Sequence, residues 1–265
     1  GLPLVLKPRR SYWTDKLDAW GKVHIVDNKS ELDNILSSIT EPDRYLVEGY
    51  FDGHGGGVSV LAEDGAIQHA FQHRRLREGR GGSSSFRISE PVDHALYRVC
   101  EKICQRTHLT GVCMFEFRRN PLTQEHVLLE TNARFWGSSG LPLALGVDFP
   151  LYLYDLLVHE RRHKPVSYAA GVRSRNTVLD AFNLLANLRR LRRGQFGDWV
   201  KEFGLFLAQP VGWLTRRERS DTFVLDDLRP ALWECATLGK SLAQKRDRDR
   251  ARELNRRRRA RSVAT

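Results

Sequence analysis

The chain has 265 residues, 41% hydrophobic and 28% charged, a composition that supports a packed core without staples and excludes a largely disordered chain. No run approaches the ~20 apolar residues of a membrane span, and the N-terminus lacks a signal-peptide layout, so a cytoplasmic location is expected. The formal charge of +11 is concentrated late: residues 241–265 hold ten Lys or Arg against three acids, a net +7, and leave +4 for the other 240 residues.

Leu2 to Pro8 reads as a strand with no element before it. The only methionine is Met114, so the chain is expected to be a piece of a longer protein. Residues 9–22 read as a polar and aromatic loop and Val23 to Val26 as a short strand. Ser30, followed by Glu31 and Asp33, resembles a helix start. Leu32, Ile35, Leu36 and Ile39 give that helix, 30–39, one apolar face. Tyr45 to Tyr50 reads as a strand. The glycine-rich stretch 53–57 leads into Val58 to Ala62, and Asp64-Gly65 is a hairpin turn into Ala66 to Arg74.

Residues 77–86 read as a loop. Val92, Leu96, Val99 and Ile103, spaced four, three, four, predict a helix. Cys100 and Cys104 lie on it and read as packing residues. With Cys113 and Cys235 they make no CxxC pair, so neither zinc nor a disulfide framework is suggested. Strands over 111–118 and 126–131 are joined by a turn around Asn120-Pro121. This is an α+β order. Helices follow over about 149–160, 177–193, 196–207 and 225–240, and then the basic tail, which is either a solvated segment or one that binds RNA, DNA or acidic lipid.

With a turn centred near residue 122, Glu116 and Glu130 fall close to opposite one another across two strands. Two carboxylates on one face repel unless a cation lies between them, and hard oxygens suit Mg²⁺ shared with substrate phosphates. The same residues also fit plain exposed acids. Arg134 lies where alternation brings it near the same mouth, and a guanidinium matches phosphate or carboxylate. It fits a surface arginine equally. The run from His73 through Arg74, Arg75 and Arg77 to Gly79, Arg80, Gly81, Gly82 and Ser83 combines guanidinium groups with approachable backbone N–H groups. It reads as an anion-binding loop, a lid or a linker. His69 and His73 can share one side of a strand, but no third metal ligand accompanies them. No Ser/His/Asp or Cys/His nucleophile pattern is present.

Six segments then carry a likeness: Leu4-Val5-Leu6-Lys7-Pro8; Leu46 to Gly53; Phe71 to Glu78; Met114-Phe115-Glu116-Phe117; Glu130 to Ser138; and Gly146-Val147-Asp148-Phe149-Pro150. In that order they resemble the ATP-grasp superfamily, most closely its bacterial carboxylate-amine ligase-like members, over about residues 1–158. The resemblance implies an ATP-grasp fold, two α+β subdomains clasping a nucleotide. Residues 1–47 would be the remainder of the N-terminal subdomain and 48–160 the C-terminal subdomain with the metal site. A helical extension (161–240) and the basic tail (241–265) would follow.

The cofactors implied are ATP and Mg²⁺. Lys7 would reach the phosphates and Glu48 the adenine amino group, with Phe51 giving backbone contacts to the ring and Asp52 beside it. Glu116, Glu130 and Asn132 would hold Mg²⁺, and Arg75 and Arg134 the γ-phosphate or an acyl-phosphate. The implied activity is ATP-dependent ligation of a small-molecule carboxylate to an amine through an acyl-phosphate. Two alternatives stay open. One is a bicarbonate-using carboxylase-like enzyme, since Glu130-x-Asn132-x-Arg134 occurs in that branch. The other is a non-catalytic module binding nucleic acid or membrane through the tail. Three features depart from the family pattern. The substrate-side domain and an earlier phosphate-binding lysine would lie before Gly1. The loop after Lys7 is poor in glycine. Met114 stands where some amino-acid ligases keep an arginine.

Overall fold

The computed structural model describes residues 1–10, 12–13, 16–20, 23–39, 41–78, 84–188, 196–224 and 227–237. The expectations placed on residues 79–83 and on the basic tail lie outside the described residues, whereas the stretch 9–22, expected to be a loop, carries two short strands paired as a hairpin. The chain divides into two compact units, Gly1–Gly171 and Val172–Thr265.

The first unit opens with β1 (Leu4–Pro8), a short hairpin of β2 (Tyr12–Trp13) and β3 (Lys16–Trp20), β4 (His24–Val26), α1 (Lys29–Ser38) and β5 (Tyr45–Gly49). β4, β1 and β5 form an antiparallel sheet in that order. Leu6 and Val26 are its buried residues. Helix α1 starts one residue earlier than its sequence suggests because Asn28, not Ser30, is the N-cap. Its Oδ1 accepts from the Glu31 amide at 2.9 Å, and Glu31 reaches back to the Asp27 amide. The pattern differs from a capping box in that Glu31 bonds the residue before the N-cap and not the N-cap itself.

The larger sheet and its helices follow: β6 (His54–Glu63), β7 (Ala66–Glu78), β8 (Ser84–Glu90), α2 (His94–Thr107), β9 (Gly111–Arg119), β10 (His126–Asn132), α3 (Gly140–Ala144) and α4 (Phe149–His159). Strand order in this unit is β10-β9-β6-β7-β8, antiparallel throughout. Period-2 alternation sends Val58, Val60, Phe115 and Phe117 to one face against Leu96, Cys100 and Cys104 of α2. The opposite face packs Leu61, Phe71 and Met114 on Trp136, Leu141, Phe149 and Tyr152. Burial pushes the Cys104 and Cys113 thiols up to about 11 and about 12, so they behave as apolar packing groups.

Two strands differ from expectation for a common reason. The glycine stretch is not a lead-in but the first half of β6, and β8 occupies what reads as a serine-rich loop. At Gly57 an added Cβ would press within 2.8 Å of the His73 ring and 3.2 Å of Met114 Sδ, and at Gly55 it would collide with Glu78 and Arg75. These glycines make room for large neighbours on the face of a strand, a use that composition alone presents as a loop. In β8, Ser85 and Ser89 are buried, and the Ser89 hydroxyl donates to the Ala169 carbonyl at 2.8 Å.

The second unit contains β11 (Arg173–Arg175), α5 (Thr177–Leu188), α6 (Phe196–Leu207), α7 (Gln209–Leu214) and β12 (Glu218–Ser220). Residues 229–237 are also helical. β11 and β12 pair in parallel. Arg175, the last residue of β11, is fully buried, with Nη1 3.1 Å from Asp180 Oδ2 and Nε 2.8 Å from Glu218 Oε1. Its guanidinium also sits 5.5 Å from the Phe206 ring centroid. No described helix is long and apolar enough to cross a membrane.

Candidate active site

The Trp136-bearing face of the large sheet becomes polar toward one end, where Glu116 follows Met114 on β9. On β10, His126, Val127 and Leu128 pair with Arg119, Arg118 and Phe117, and the register then shifts between Leu128 and Glu130. Leu129 is the extra residue of a β-bulge. Without the bulge, Leu129 would pair with Glu116, and Glu130 would face Phe115 and point to the opposite side, since a one-residue slip inverts every side chain of a strand. With it, Glu130 lies directly across from Glu116 and Asn132 across from Met114. The bulge therefore gathers two carboxylates and an amide on one face.

Around them is a short chain of contacts. Asn132 Nδ2 donates to Glu130 Oε1 at 2.8 Å, and Arg134 Nη2 donates to Asn132 Oδ1 at 3.2 Å. Arg75 Nη2 lies 2.7 Å from Glu116 Oε2, a pair about nine-tenths buried. Lys7 Nζ donates to the carbonyl of Leu129, the bulge residue, at 3.3 Å, which brings the lysine of β1 to the acidic pair. Glu48 opposes Val5 in the β1–β5 register, so Glu48 and Lys7 share a face of the small sheet. Phe51 is partly buried and Asp52 exposed in the connection from β5 to β6; neither has a described contact tying it to the acidic pair.

Sequence reading passed over the rest of this face. Arg87 on β8 stands directly across from Arg75, and Arg118 across from Gly55. Glu78 joins them, bonding Arg118 Nη1 at 3.2 Å and the Gly55 amide at 2.9 Å. The Nε groups of Arg75 and Arg118 are buried without a hydrogen-bond partner. Burial, and then the Arg75 charge, brings Arg87 down to about 10. The same burial, followed by Arg87 and Arg75, holds the His73 imidazole down to about 3, so it is neutral, with Ser138 Oγ 3.5 Å from its Nε2. Two guanidinium groups side by side in a buried setting favour an anion between them. The period-2 alternation of Ser85, Arg87 and Ser89 was the signal that could have found Arg87.

Among the described residues no group of three or more His, Cys, Asp or Glu is placed to hold a metal by itself. Two carboxylates and one amide do fit a hard cation whose remaining positions come from phosphates and water, the usual situation of protein-bound Mg²⁺. Glu130 is exposed and Glu116 is already matched by Arg75, so the set carries little uncompensated charge before a ligand arrives.

A family model described as ATP-grasp in the biosynthetic pathway with Ter operon matches residues 41–178. Among solved structures, the chain is similar to the biotin carboxylase domain of Hydrogenobacter thermophilus 2-oxoglutarate carboxylase, solved with MgADP, ADP and bicarbonate. Identity is 16%, coverage 65% of this chain and 40% of that one, and the TM-score 0.50. N5-carboxyaminoimidazole synthetase from Staphylococcus aureus with ADP matches at 13% identity, 63% and 44% coverage and TM-score 0.47. An L-amino acid ligase from Bacillus licheniformis matches at 18%, 62% and 40%, and 0.44. The chain thus spans about 40% of the length of these structures. No curated protein matches.

Proposed function

We propose, from the premise that this chain belongs to the family of ATP-grasp in the biosynthetic pathway with Ter operon, that it carries the Mg-ATP site of a carboxylate-amine ligase. The observation that supports this most directly is the bulge at Leu129. One extra residue turns Glu130 and Asn132 onto the face of Glu116, and its carbonyl is the partner of Lys7. A strand irregularity that both aligns three oxygen donors and receives a lysine is economical for a site and unnecessary for a sheet.

In this reading Lys7 holds the phosphates and Glu48 accepts from the adenine amino group, with Phe51 and Asp52 flanking the ring. Glu116, Glu130 and Asn132 hold Mg²⁺, which when bound neutralises charge on the phosphates. Arg75 and Arg134 bind the transferring phosphoryl group, and Arg87, beside Arg75, adds positive potential where negative charge grows. A substrate carboxylate oxygen attacks the γ-phosphorus and ADP leaves. An amine then attacks the acyl carbon, phosphate leaves, and the amine proton passes to solvent. His73, held neutral by burial, adds no further positive charge beside Arg75.

The test is ADP and phosphate release with Mg-ATP across panels of carboxylates and amines. Release that requires both an acid and an amine supports the ligase. Release that requires bicarbonate and no amine assigns the site to carboxylation. Absence of turnover together with absence of nucleotide binding removes the enzymatic reading.

A further inference from the structure

The apolar face of helices α6 and α7 points outward. Phe196, Val200, Phe203, Leu207, Val211 and Leu214 fall at i, i+4, i+7, i+11, i+15 and i+18, a single stripe of a 3.6-residue helix. They are 38–85% exposed. Ala208 donates to Gly204 and Gly212 to Ala208, so the i→i−4 ladder carries the stripe across the junction of α6 and α7. The inward side carries Trp199, Phe206 and Gln209: the Trp199 indole N–H donates to the Leu184 carbonyl, and Gln209 donates to Thr177. A surface helix normally buries its apolar stripe and exposes its polar one. Here an apolar stripe of six large side chains stays exposed.

Charge accompanies the stripe. Residues 172–265 hold 22 Lys or Arg against 11 Asp or Glu, whereas residues 1–171 hold 21 of each. The whole formal excess of +11 therefore sits in the unit that exposes the stripe. Arg189, Arg190, Arg192 and Arg193 precede the stripe in sequence, and Arg216, Arg217 and Arg219 follow it. We propose that the α6–α7 face docks on an anionic lipid surface, lying in the interface with its phenylalanine and leucine side chains inserted and its flanking arginines on the headgroups.

Other occupants fit less well. Residues 238–265 offer Leu238, Leu242, Leu254 and Val263 among eleven Lys or Arg, too little apolar area to cover six large side chains. A second copy would set one unit of +11 against another. At 12 residues α6 is about 18 Å long, suited to lying in a bilayer surface and too short to cross it.

The test uses the full chain and vesicles of phosphatidylcholine, with and without phosphatidylglycerol. The proposal expects partition into anionic vesicles at least about tenfold above neutral ones, falling steeply with salt. Replacing Phe203→Glu and Leu207→Glu together should lower anionic partition at least about tenfold with the far-UV circular dichroism unchanged. Hydrogen exchange of the unmutated protein supplies a variant-free reading, in which amides of 196–214 gain protection on anionic vesicles. The proposal is overturned if those amides gain none or if the double variant partitions like the parent. It is also overturned if, without vesicles, the parent forms a dimer that the same substitutions dissolve.

Discussion

The two units use the same amino acids in opposite ways. In the first, with no net charge, charged side chains are paired and drawn inward at one end of a sheet, as with Arg75 on Glu116 and Arg118 on Glu78, while Phe71 and Phe115 are fully buried. Among the described residues of the second, the largest fully buried side chain is an arginine, Arg175, while Phe196, Phe203 and Phe223 are exposed. Polar groups held in a closed frame can be aimed at a small ligand; an apolar stripe amid excess positive charge can meet only a surface. Each unit's distribution of charge, more than its composition, indicates what it is able to bind.

The sharpest way to test that contrast is to make one substitution type in both units. Phe71→Ala removes a fully buried ring and should cost about 3–5 kcal/mol in denaturant unfolding. Phe203→Ala, on the outward stripe, should stay within about 0.5 kcal/mol. Comparable costs would show that the stripe is packed. In the second unit, Arg175→Ala leaves Asp180 and Glu218 buried without their shared cation and should cost about 3 kcal/mol or more, read in the same unfolding experiment. A neutral result would mean that water reaches those carboxylates.

Next in size is an acid effect in the first unit. His73 is held far below its unfolded value by burial and by its arginine neighbours. The unfolded chain therefore binds a proton below about pH 6.5 that the folded chain refuses until about pH 3. Stability from this group is complete above pH 6.5 and is lost as pH falls through that window, by at most ~1.4 kcal/mol per pH unit. His73→Gln should flatten the decline of unfolding free energy over that range. The smallest expected effect concerns the nucleotide: Lys7→Ala should weaken Mg-ATP binding by about tenfold, or ~1.4 kcal/mol, in titration calorimetry, while Lys245→Ala leaves it unchanged.

Much of this was legible in the sequence because it is local. The Asp64-Gly65 turn, the apolar spacing of α2 and the two strands flanking residue 122 all follow from short-range pattern. The pairing of Glu116 with Glu130 was legible only in outline. The connection closes with Asn120 bonded to Glu125 and Gln124 to Asn120, and by its own register it would set Glu130 against Phe115. The bulge at Leu129 corrects this, and nothing in Leu128-Leu129-Glu130 announces a bulge. Arg87 was hidden by a serine-rich strand that reads as loop. Buried serines look like loop serines until a neighbouring carbonyl, here that of Ala169, supplies their partner. The outward stripe of α6 was hidden for another reason: periodicity shows that a face is apolar but not which way it points.

The proposed metal-nucleotide site at the bulge is the central claim, and one measurement addresses it. The thermal midpoint of the protein should be followed with increasing Mg-ATP, for the parent and for Glu130→Gln. A ligand bound only by the folded state stabilises by mass action, ~2.7 kcal/mol at a hundredfold excess over Kd. Glu130 is exposed, so the substitution should leave the ligand-free midpoint in place. The account predicts a clear rise for the parent that needs Mg²⁺, and loss of most of that Mg²⁺-dependent part in Glu130→Gln. An unmoved parent midpoint at saturating Mg-ATP, or an equal Mg²⁺-dependent rise in both proteins, would contradict it.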